Sequence, residues 1–250
     1  MKPRLKLASA PTPDGGEMEL IQHDTDFFIK VNGHDLMHSR HNESEKELAR
    51  LGCAALSAKE NPRVLIGGLG LGYTLRAALD FLPPDAEVTV VELMEAVINW
   101  NRDYLGALND HPLSDPRVKV RNEDIITFIS GQYNYFDAVL LDIDNGPEPI
   151  SCTNNGRLYG YQGICAISRA MTSRGCLAVW SSAPNREFEE GLSGCGLAVR
   201  RFRVPAYPGS RSQSRFIFVA AKNATIIPPG GSAPYPAGRG RGKKKGGRRK

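Results

Sequence analysis

The feature that most constrains the fold is an alternation of apolar strands and amphipathic helices that begins near residue 63. The segment "RVLIGGLG" predicts a strand that ends in glycines, and "GYTLRAALDFL" after it predicts a helix. Further strands, each followed by a helical pattern, are predicted in "EVTVVEL", "RVKVRNED", "FDAVLLDID" and "CLAVWSS". Strands that alternate with helices of about 10–15 residues form a mostly parallel, doubly wound α/β sheet with helices on both faces.

The end of the alternation completes the predicted sheet. The segments "LAVRRFRVP" and "RFIFVAA" have no helical pattern between them, so they predict a terminal hairpin that makes one edge strand antiparallel. Before them, "YGYQGICAISRAMTSRG" predicts mostly one helix, closed by Gly175. Seven strands in this arrangement are typical of the Rossmann-like sheet of S-adenosylmethionine-dependent transferases.

The segments around this alternation divide the chain into four predicted regions. Residues 1–17 are polar and rich in Pro and Gly and predict a flexible arm. Residues 18–60 predict a small antiparallel β element, with Asn32-Gly33 as its hairpin turn, and then a helix that Ser44 can cap. Residues 61–222 predict a nucleoside-binding, Rossmann-like catalytic domain, and the Pro/Gly-rich, then cationic residues 223–250 predict a disordered tail.

The basic character of the chain is confined to its end. The net charge is +5, but eight basic residues lie in the final "RGRGKKKGGRRK", so residues 1–238 carry a net charge of −3. Two interpretations of the tail stay open: loose contact with nucleic acid or anionic surfaces, and a solubilising role. The sequence contains neither an apolar run long enough for a membrane span nor a secretory signal, so we expect no membrane partner and a cytoplasmic location. The five scattered cysteines favour neither zinc nor a disulfide framework.

Glycines and acids follow four predicted strands at the point where each strand ends. The first strand ends in glycines that allow a tight turn and a close approach to a ligand: Gly67, Gly68, Gly70 and Gly72. The second ends at Glu92 and Leu93, where an acid accepts hydrogen bonds from ribose hydroxyls. The third ends at Glu123 and Asp124, which can accept from an adenine amine, cap the next helix, or do both. The fourth ends at Asp142 and Asp144.

These acids predict one pocket for a ligand with hydroxyl, amine and cationic groups. The carboxyl ends of parallel strands meet at one edge of the sheet, and nearby carboxylates attract a sulfonium or a polyamine. Asp142 directly follows the apolar run "AVLL", where a carboxylate is costly to desolvate without a partner, so we favour a functional role for it over a turn. His34, His38 and His41 lack acidic or cysteine partners at ligand spacing, and we expect no metal site.

Roughly residues 18–220 resemble the spermidine synthase (polyamine aminopropyltransferase) family, and the motifs that carry the resemblance are "RVLIGGLGLGYTLRA", "VTVVELMEAVINWNRDYL", "RVKVRNEDIITFI" and "YFDAVLLDIDNGPEP". The resemblance implies that Glu92 binds the nucleoside ribose, Asp124 the adenine and Asp142 the attacking amine. Asp144 then belongs to the polyamine ligands, and a homodimer is expected. The loop "GGLGLG" lacks the aspartate that the family usually carries there, and "DIDNGPEP" is shorter than the family's fourth-strand motif.

The expected function is therefore transfer of an aminopropyl group from decarboxylated S-adenosylmethionine to a small-molecule amine acceptor, in polyamine biosynthesis. Asp142 would orient the amine and accept its proton. Asp144 and Glu148 would hold the distal ammonium, and Tyr159 or Tyr161 would line the pocket. Two alternatives stay open: a methyltransferase of the same fold that uses intact S-adenosylmethionine, and a non-catalytic nucleoside-binding protein. An acidic lining beside Asp142 favours a polyamine, and a basic lining favours nucleic acid.

Overall fold

The N-terminal region of the protein is a four-stranded antiparallel sheet. The computed structural model describes residues 3–143, 146–147, 155–205 and 214–235. The strands pair in chain order: β1 (Arg4–Pro11), β2 (Glu17–His23), β3 (Asp26–Val31) and β4 (His34–His38). Asn32 and Gly33 both have positive φ and turn β3 into β4, as the sequence predicts. The prediction of a flexible arm over residues 1–17 is wrong where that segment is described, because β1 pairs with β2; as a largely exposed edge strand, β1 carries little apolar signal.

A mostly parallel sheet of seven strands follows, as predicted. Its strands in chain order are β5 (Arg63–Gly67), β6 (Glu87–Glu92), β7 (Val118–Asn122), β8 (Phe136–Leu141), β9 (Met171–Ser181), β10 (Ala198–Pro205) and β11 (Ser214–Ala221). Their order across the sheet is β10-β11-β9-β8-β5-β6-β7, and β5 to β9 are parallel to one another. The chain leaves β5 for β6 on one side and returns to β8 on the other, which opens a crevice at the carboxyl ends of β5 and β8.

Helices cover both faces of this sheet. They are α1 (Glu43–Cys53), α2 (Tyr73–Phe81), α3 (Glu95–Trp100), α4 (Ile125–Ser130), α5 (Asn155–Tyr159), α6 (Tyr161–Ala170) and α7 (Arg186–Gly194). Side chains alternate between the faces along each strand: Ile66 and Leu140 pack with α1 to α3, whereas Leu65 and Val139 pack with α4 to α7. Burial on two faces explains why the strands are continuous apolar runs, and every residue of β8 is buried. Among the described residues, no helix is long and apolar enough to span a membrane.

Three local predictions about the elements are wrong. The helix expected to run on to Gly175 ends at Ala170, and β9 begins at once. The ladder between β8 and β9 has an irregularity there, and a Cβ on Gly175 would lie 3.0 Å from the carbonyl oxygen of Phe136. The antiparallel strand is β11, which lies inside the sheet, while β10 forms the edge. Ser44 lies within the first turn of α1 and donates to Glu45 instead of capping the helix.

The C-terminal segment and one pair of cysteines also differ from expectation. Residues 223–235, predicted to be disordered, pack along the edge strand β10, where Arg201 and Ser232 exchange backbone hydrogen bonds of 2.9 and 2.7 Å. The remainder of the tail, with all its clustered basic residues, lies outside the described residues. Cys165 in α6 and Cys195 after α7 form a disulfide, with their Cα atoms 5.7 Å apart. The two cysteines are 30 residues apart and match no cysteine motif, so the sequence does not predict that they pair.

Candidate active site

The candidate active site is a cavity at the carboxyl ends of β5 to β8, which we call the rim cavity. Its floor contains Gly68 and Gly70 and the acids that the sequence places at strand ends: Glu92, Glu123, Asp124 and Asp142. The N-terminal sheet closes it from above with apolar side chains: Met18, Ile29, Leu36 and Met37. The predicted acids therefore share one cavity, and the small sheet is one of its walls.

The glycine turn lies close to the end of β8. Gly68 has a φ of +88°, and a Cβ there would lie 2.2 Å from the carbonyl oxygen of Asp142. Gly70 has a φ of +51°, and its missing side chain leaves room for the Met37 sulfur. Gly67 accepts a backbone hydrogen bond of 2.9 Å from Asp142 at the end of β5, and Gly72 precedes the first residue of α2. The turn thus brings the backbone of Gly68 and Gly70 to the cavity, while Gly67 and Gly72 lie outside the lining.

Glu92 holds the glycine turn in place. Its two carboxylate oxygens accept hydrogen bonds of 2.8 Å from the backbone N–H groups of Leu69 and Met94. Each oxygen of a carboxylate has more than one acceptor site, so Glu92 can still accept from hydroxyl groups of a ligand. The next residue, Leu93, is exposed and also lines the cavity.

Asp124 is the N-cap of α4, one of the two roles that the sequence leaves open for it. Its Oδ1 accepts a 2.9 Å hydrogen bond from the backbone N–H of Thr127. Only this oxygen has a described hydrogen bond, and the side chain lines the rim cavity next to Glu123. Capping and ligand binding are therefore compatible in this geometry.

Asp142 is the acid whose surroundings are most perturbed. The Thr74 hydroxyl at the start of α2 donates a 2.6 Å hydrogen bond to its Oδ2. Burial of the carboxyl group raises the pKa of Asp142 to about 6, although the Thr74 hydrogen bond acts in the opposite direction. Near it stands Glu45 of α1, which the sequence analysis missed. Burial, and then the charge of Asp142, raise the pKa of Glu45 to about 7.

Three predicted substrate-binding residues remain, and the structure describes one of them. Asp144 and Glu148 lie outside the described residues. Tyr159 is buried against Phe188, with ring centroids 5.6 Å apart, and lines a separate cleft together with the exposed Tyr161. Its assignment to the substrate pocket is therefore unsupported, because α5 and α6 direct it towards the core on the other face of the sheet.

Three histidines lie at the end of the small sheet: His34 and His38 are the first and last residues of β4, and His41 follows it. His38 and His41 stack with ring centroids 4.9 Å apart, and burial lowers the pKa of His38. Within the described parts of the chain, no three His, Cys, Asp or Glu side chains are arranged to hold a metal ion.

The doubly wound sheet and the acid-lined crevice at its switch point define an α/β protein of the Rossmann-like class. The family model for the spermine/spermidine synthase domain matches residues 46–185, which is more than half of the chain. The chain therefore belongs to the spermine/spermidine synthase family, as the sequence motifs indicate.

Curated sequence relatives agree with this assignment. A polyamine aminopropyltransferase 2 of Ralstonia nicotianae is 31% identical over 161 residues, covering 64% of this chain and 30% of the relative. A polyamine aminopropyltransferase 1 of Streptomyces coelicolor is 29% identical over 183 residues, covering 70% of this chain and 33% of the relative. The chain thus spans about a third of the length of these curated relatives.

Two solved structures share the fold. Spermidine synthase from Thermotoga maritima superposes with a TM-score of 0.70 at 17% identity, covering 90% of this chain and 75% of that one. A spermidine synthase in complex with the transition state analogue AdoDATO gives a TM-score of 0.69 at 18% identity, covering 90% and 76%. At these identities the likeness establishes the fold.

Proposed function

We propose that this protein transfers an aminopropyl group from decarboxylated S-adenosylmethionine to an amine acceptor, as part of polyamine biosynthesis. The observation that carries the proposal is the position of Asp142, a carboxylate with a raised pKa, in the same cavity as Glu92 and Asp124. The names of the relatives, all polyamine aminopropyltransferases, support the same reaction. The sheet is then that of an S-adenosylmethionine-dependent transferase.

In this proposal the residues at the strand ends hold the nucleoside of the donor. Glu92 accepts hydrogen bonds from the ribose hydroxyls, and Glu123 and Asp124 accept from the adenine amine. The turn through Gly67, Gly68, Gly70 and Gly72 and the side chain of Leu93 lie against the nucleoside. This set suits a nucleoside because carboxylates at successive strand ends can each meet a different donor group of one ligand.

The reaction needs alignment and a neutral amine more than electrophilic assistance. The amine nitrogen forms a bond to the propyl carbon, the carbon–sulfur bond breaks, and its electron pair leaves with a neutral thioether. Asp142 accepts the proton that the amine nitrogen gives up. Its pKa of about 6 leaves it ionised at neutral pH and more basic than an ordinary aspartate. Asp144 and Glu148 would hold the distal ammonium of the acceptor.

The charge of the cavity favours the decarboxylated donor over intact S-adenosylmethionine. Four of the described lining residues are acids, namely Glu92, Glu123, Asp124 and Asp142, and none is Lys or Arg. A methyltransferase of this fold has to accommodate the carboxylate of methionine, which these acids repel. The decarboxylated donor lacks that carboxylate and carries only positive charge.

Calorimetry with decarboxylated S-adenosylmethionine, intact S-adenosylmethionine and methylthioadenosine tests the donor. We expect the decarboxylated form to bind at least about tenfold, or ~1.4 kcal/mol, more tightly than the intact form. Tighter binding of the intact form would reverse the assignment in favour of methyl transfer. Ligand binding without turnover of any amine would favour the non-catalytic alternative.

The Asp142→Asn variant tests the chemical step. We expect it to abolish transfer while nucleoside affinity stays within about tenfold, because the asparagine keeps the shape of the side chain but is no longer a proton acceptor. Asp103→Asn, at an exposed aspartate of the turn after α3, is the matched control and should transfer normally. Unchanged turnover in Asp142→Asn would remove Asp142 from its role.

Three further expectations belong to this proposal. Residues 61–222 act as the catalytic domain, the protein forms a homodimer, and the basic tail contacts nucleic acid or anionic surfaces. Size-exclusion chromatography with light scattering tests the dimer. Binding of a labelled RNA to the full chain and to a chain that ends at Tyr235, measured at two salt concentrations, tests the tail.

A further inference from the structure

Glu45 occupies a position of α1 that faces the sheet. It begins the stripe that continues through Leu48 and Ala49 to Gly52, spaced as one face of a helix, and these three residues are buried. A Cβ on Gly52 would lie 2.0 Å from the side chain of Leu140, so this stripe is pressed against β8. A carboxylate is thus built into the otherwise apolar contact face of the helix.

The helix brings Glu45 to the carboxyl end of β8. Seven residues of α-helix separate it from Gly52, which is about 10 Å along the axis. Leu140, opposite Gly52, is followed two residues later by Asp142, which is about 7 Å further along the strand. Both residues are partly exposed as a whole, yet burial is the largest cause of the raised pKa of each carboxyl group.

Among the described residues, one cation, Arg215, is recorded as acting on these carboxyl groups. Ser44 donates a 2.5 Å hydrogen bond to Glu45, and α2 contributes the Thr74 hydroxyl to Asp142 and the neutral phenol of Tyr73. From β11, Arg215 lowers the pKa of Glu45, but its influence is smaller than those of burial and of the Asp142 charge, which raise it. Two buried carboxylates that interact in this way do not ionise at the same pH.

We infer that Glu45 is a positioning residue that shares one proton with Asp142 and thereby controls when Asp142 can accept the proton of the attacking amine. The inference rests on the proposed function. With one proton on the pair, Glu45 holds it and Asp142 is the anion that faces the rim cavity. When Glu45 loses that proton as well, its charge makes Asp142 a stronger base and strengthens the attraction for an ammonium group.

The shared proton is tested first without any reaction. In carboxyl carbon NMR of the full chain, Glu45 is expected to titrate near pH 7, and Asp142→Asn is expected to lower that pKa because the opposing charge is gone. Glu47 of the same helix, which is partly exposed and paired with Arg50, provides the reference signal for the two proteins. A Glu45 signal that titrates near 4.5, or one that ignores Asp142→Asn, overturns the inference.

The effect on catalysis is tested by the pH profile of kcat/KM. The wild type should rise in two ionisation steps, whereas Glu45→Gln, whose amide oxygen can still accept from Ser44, should lose the upper step. At pH 8 its kcat/KM should be lower by at most about tenfold, because one pKa unit is a tenfold change in proton affinity. Glu47→Gln is the matched control and should keep both steps.

The outcomes separate the two proposals. If transfer occurs and Glu45→Gln keeps both steps, the inference fails while the proposed function stands. If no transfer occurs in the wild type but the Glu45 signal still responds to Asp142→Asn, the proposed function fails and the shared proton stands.

Discussion

The substitution Asp142→Asn should make the protein more stable at pH 8, although it removes the group that we propose as the proton acceptor. Burial raises the pKa of Asp142 from 3.8 to about 6 in the folded protein. In the unfolded chain the side chain has its ordinary pKa. Between these two values the folded state binds more protons than the unfolded state, so the free energy of unfolding falls as the pH rises.

The magnitude follows from the two pKa values. Each factor of ten in proton affinity is worth about 1.36 kcal/mol, so the ionised Asp142 costs roughly 3 kcal/mol at pH 8. At pH 5 roughly half of that cost is already present, because only the unfolded state has ionised by then. The stability advantage of the variant over the wild type should therefore grow by roughly 1.4 kcal/mol between pH 5 and pH 8 from Asp142 alone, and the lower pKa of Glu45 in the variant acts in the same direction.

Urea unfolding followed by tryptophan fluorescence, at pH 5, 6.5 and 8, measures this difference. Thr74 can still donate to the asparagine oxygen, so the hydrogen bond is retained and the charge alone is removed. Asp103→Asn, at an exposed position, should show no such pH dependence. The reasoning would be refuted if Asp142→Asn were less stable than the wild type at pH 8. It would also be refuted if the difference in unfolding free energy between the two proteins were the same at all three pH values.

Three other substitutions have defined outcomes. Gly68→Ala should destabilise the protein by about 2 kcal/mol in urea unfolding and abolish donor binding, because its φ is +88° and the new Cβ meets the backbone oxygen at the end of β8. Asp124→Ser should keep the N-cap of α4 but weaken adenosine binding, whereas Asp124→Ala should weaken binding and also lose about 1 kcal/mol of stability. If Asp124→Ser binds adenosine as tightly as the wild type, capping α4 is the only role of Asp124. Glu189→Gln should destabilise the protein by about 3 kcal/mol, because Glu189 is buried and paired with Arg201. Glu190→Gln, at the exposed neighbouring glutamate, is the control. Similar unfolding curves for the Glu189→Gln and Glu190→Gln variants would contradict this prediction.

The parallel sheet and the acids of the rim cavity could be predicted because both depend on local sequence signals. Mostly apolar segments of five or six residues that end in glycines or acids identify β5, β6 and β8 directly. Once those strands are parallel, their carboxyl ends meet, and Glu92, Asp124 and Asp142 come together without further information.

The features that sequence reasoning missed depend on contacts between distant segments. Glu45 looks like a solvated helix residue until α1 is seen against β8, because only the docking of the helix buries that side chain. The order of β10 and β11 is fixed by pairing with β9, which a hairpin pattern leaves open in either direction. The disulfide between Cys165 and Cys195 needs α6 and α7 to lie side by side.

Met37 of the small sheet lies against Gly70 of the large sheet, so the two sheets form the rim cavity together. A fragment trimmed to the family match at residues 46–185 would begin one residue after Glu45 and would lack β1 to β4. Such a fragment would keep Glu92, Glu123, Asp124 and Asp142 but would lose Met18, Ile29, Leu36 and Met37, the apolar wall opposite them. A binding study on that fragment would therefore examine half of a cavity, because the lining begins well upstream of the family match.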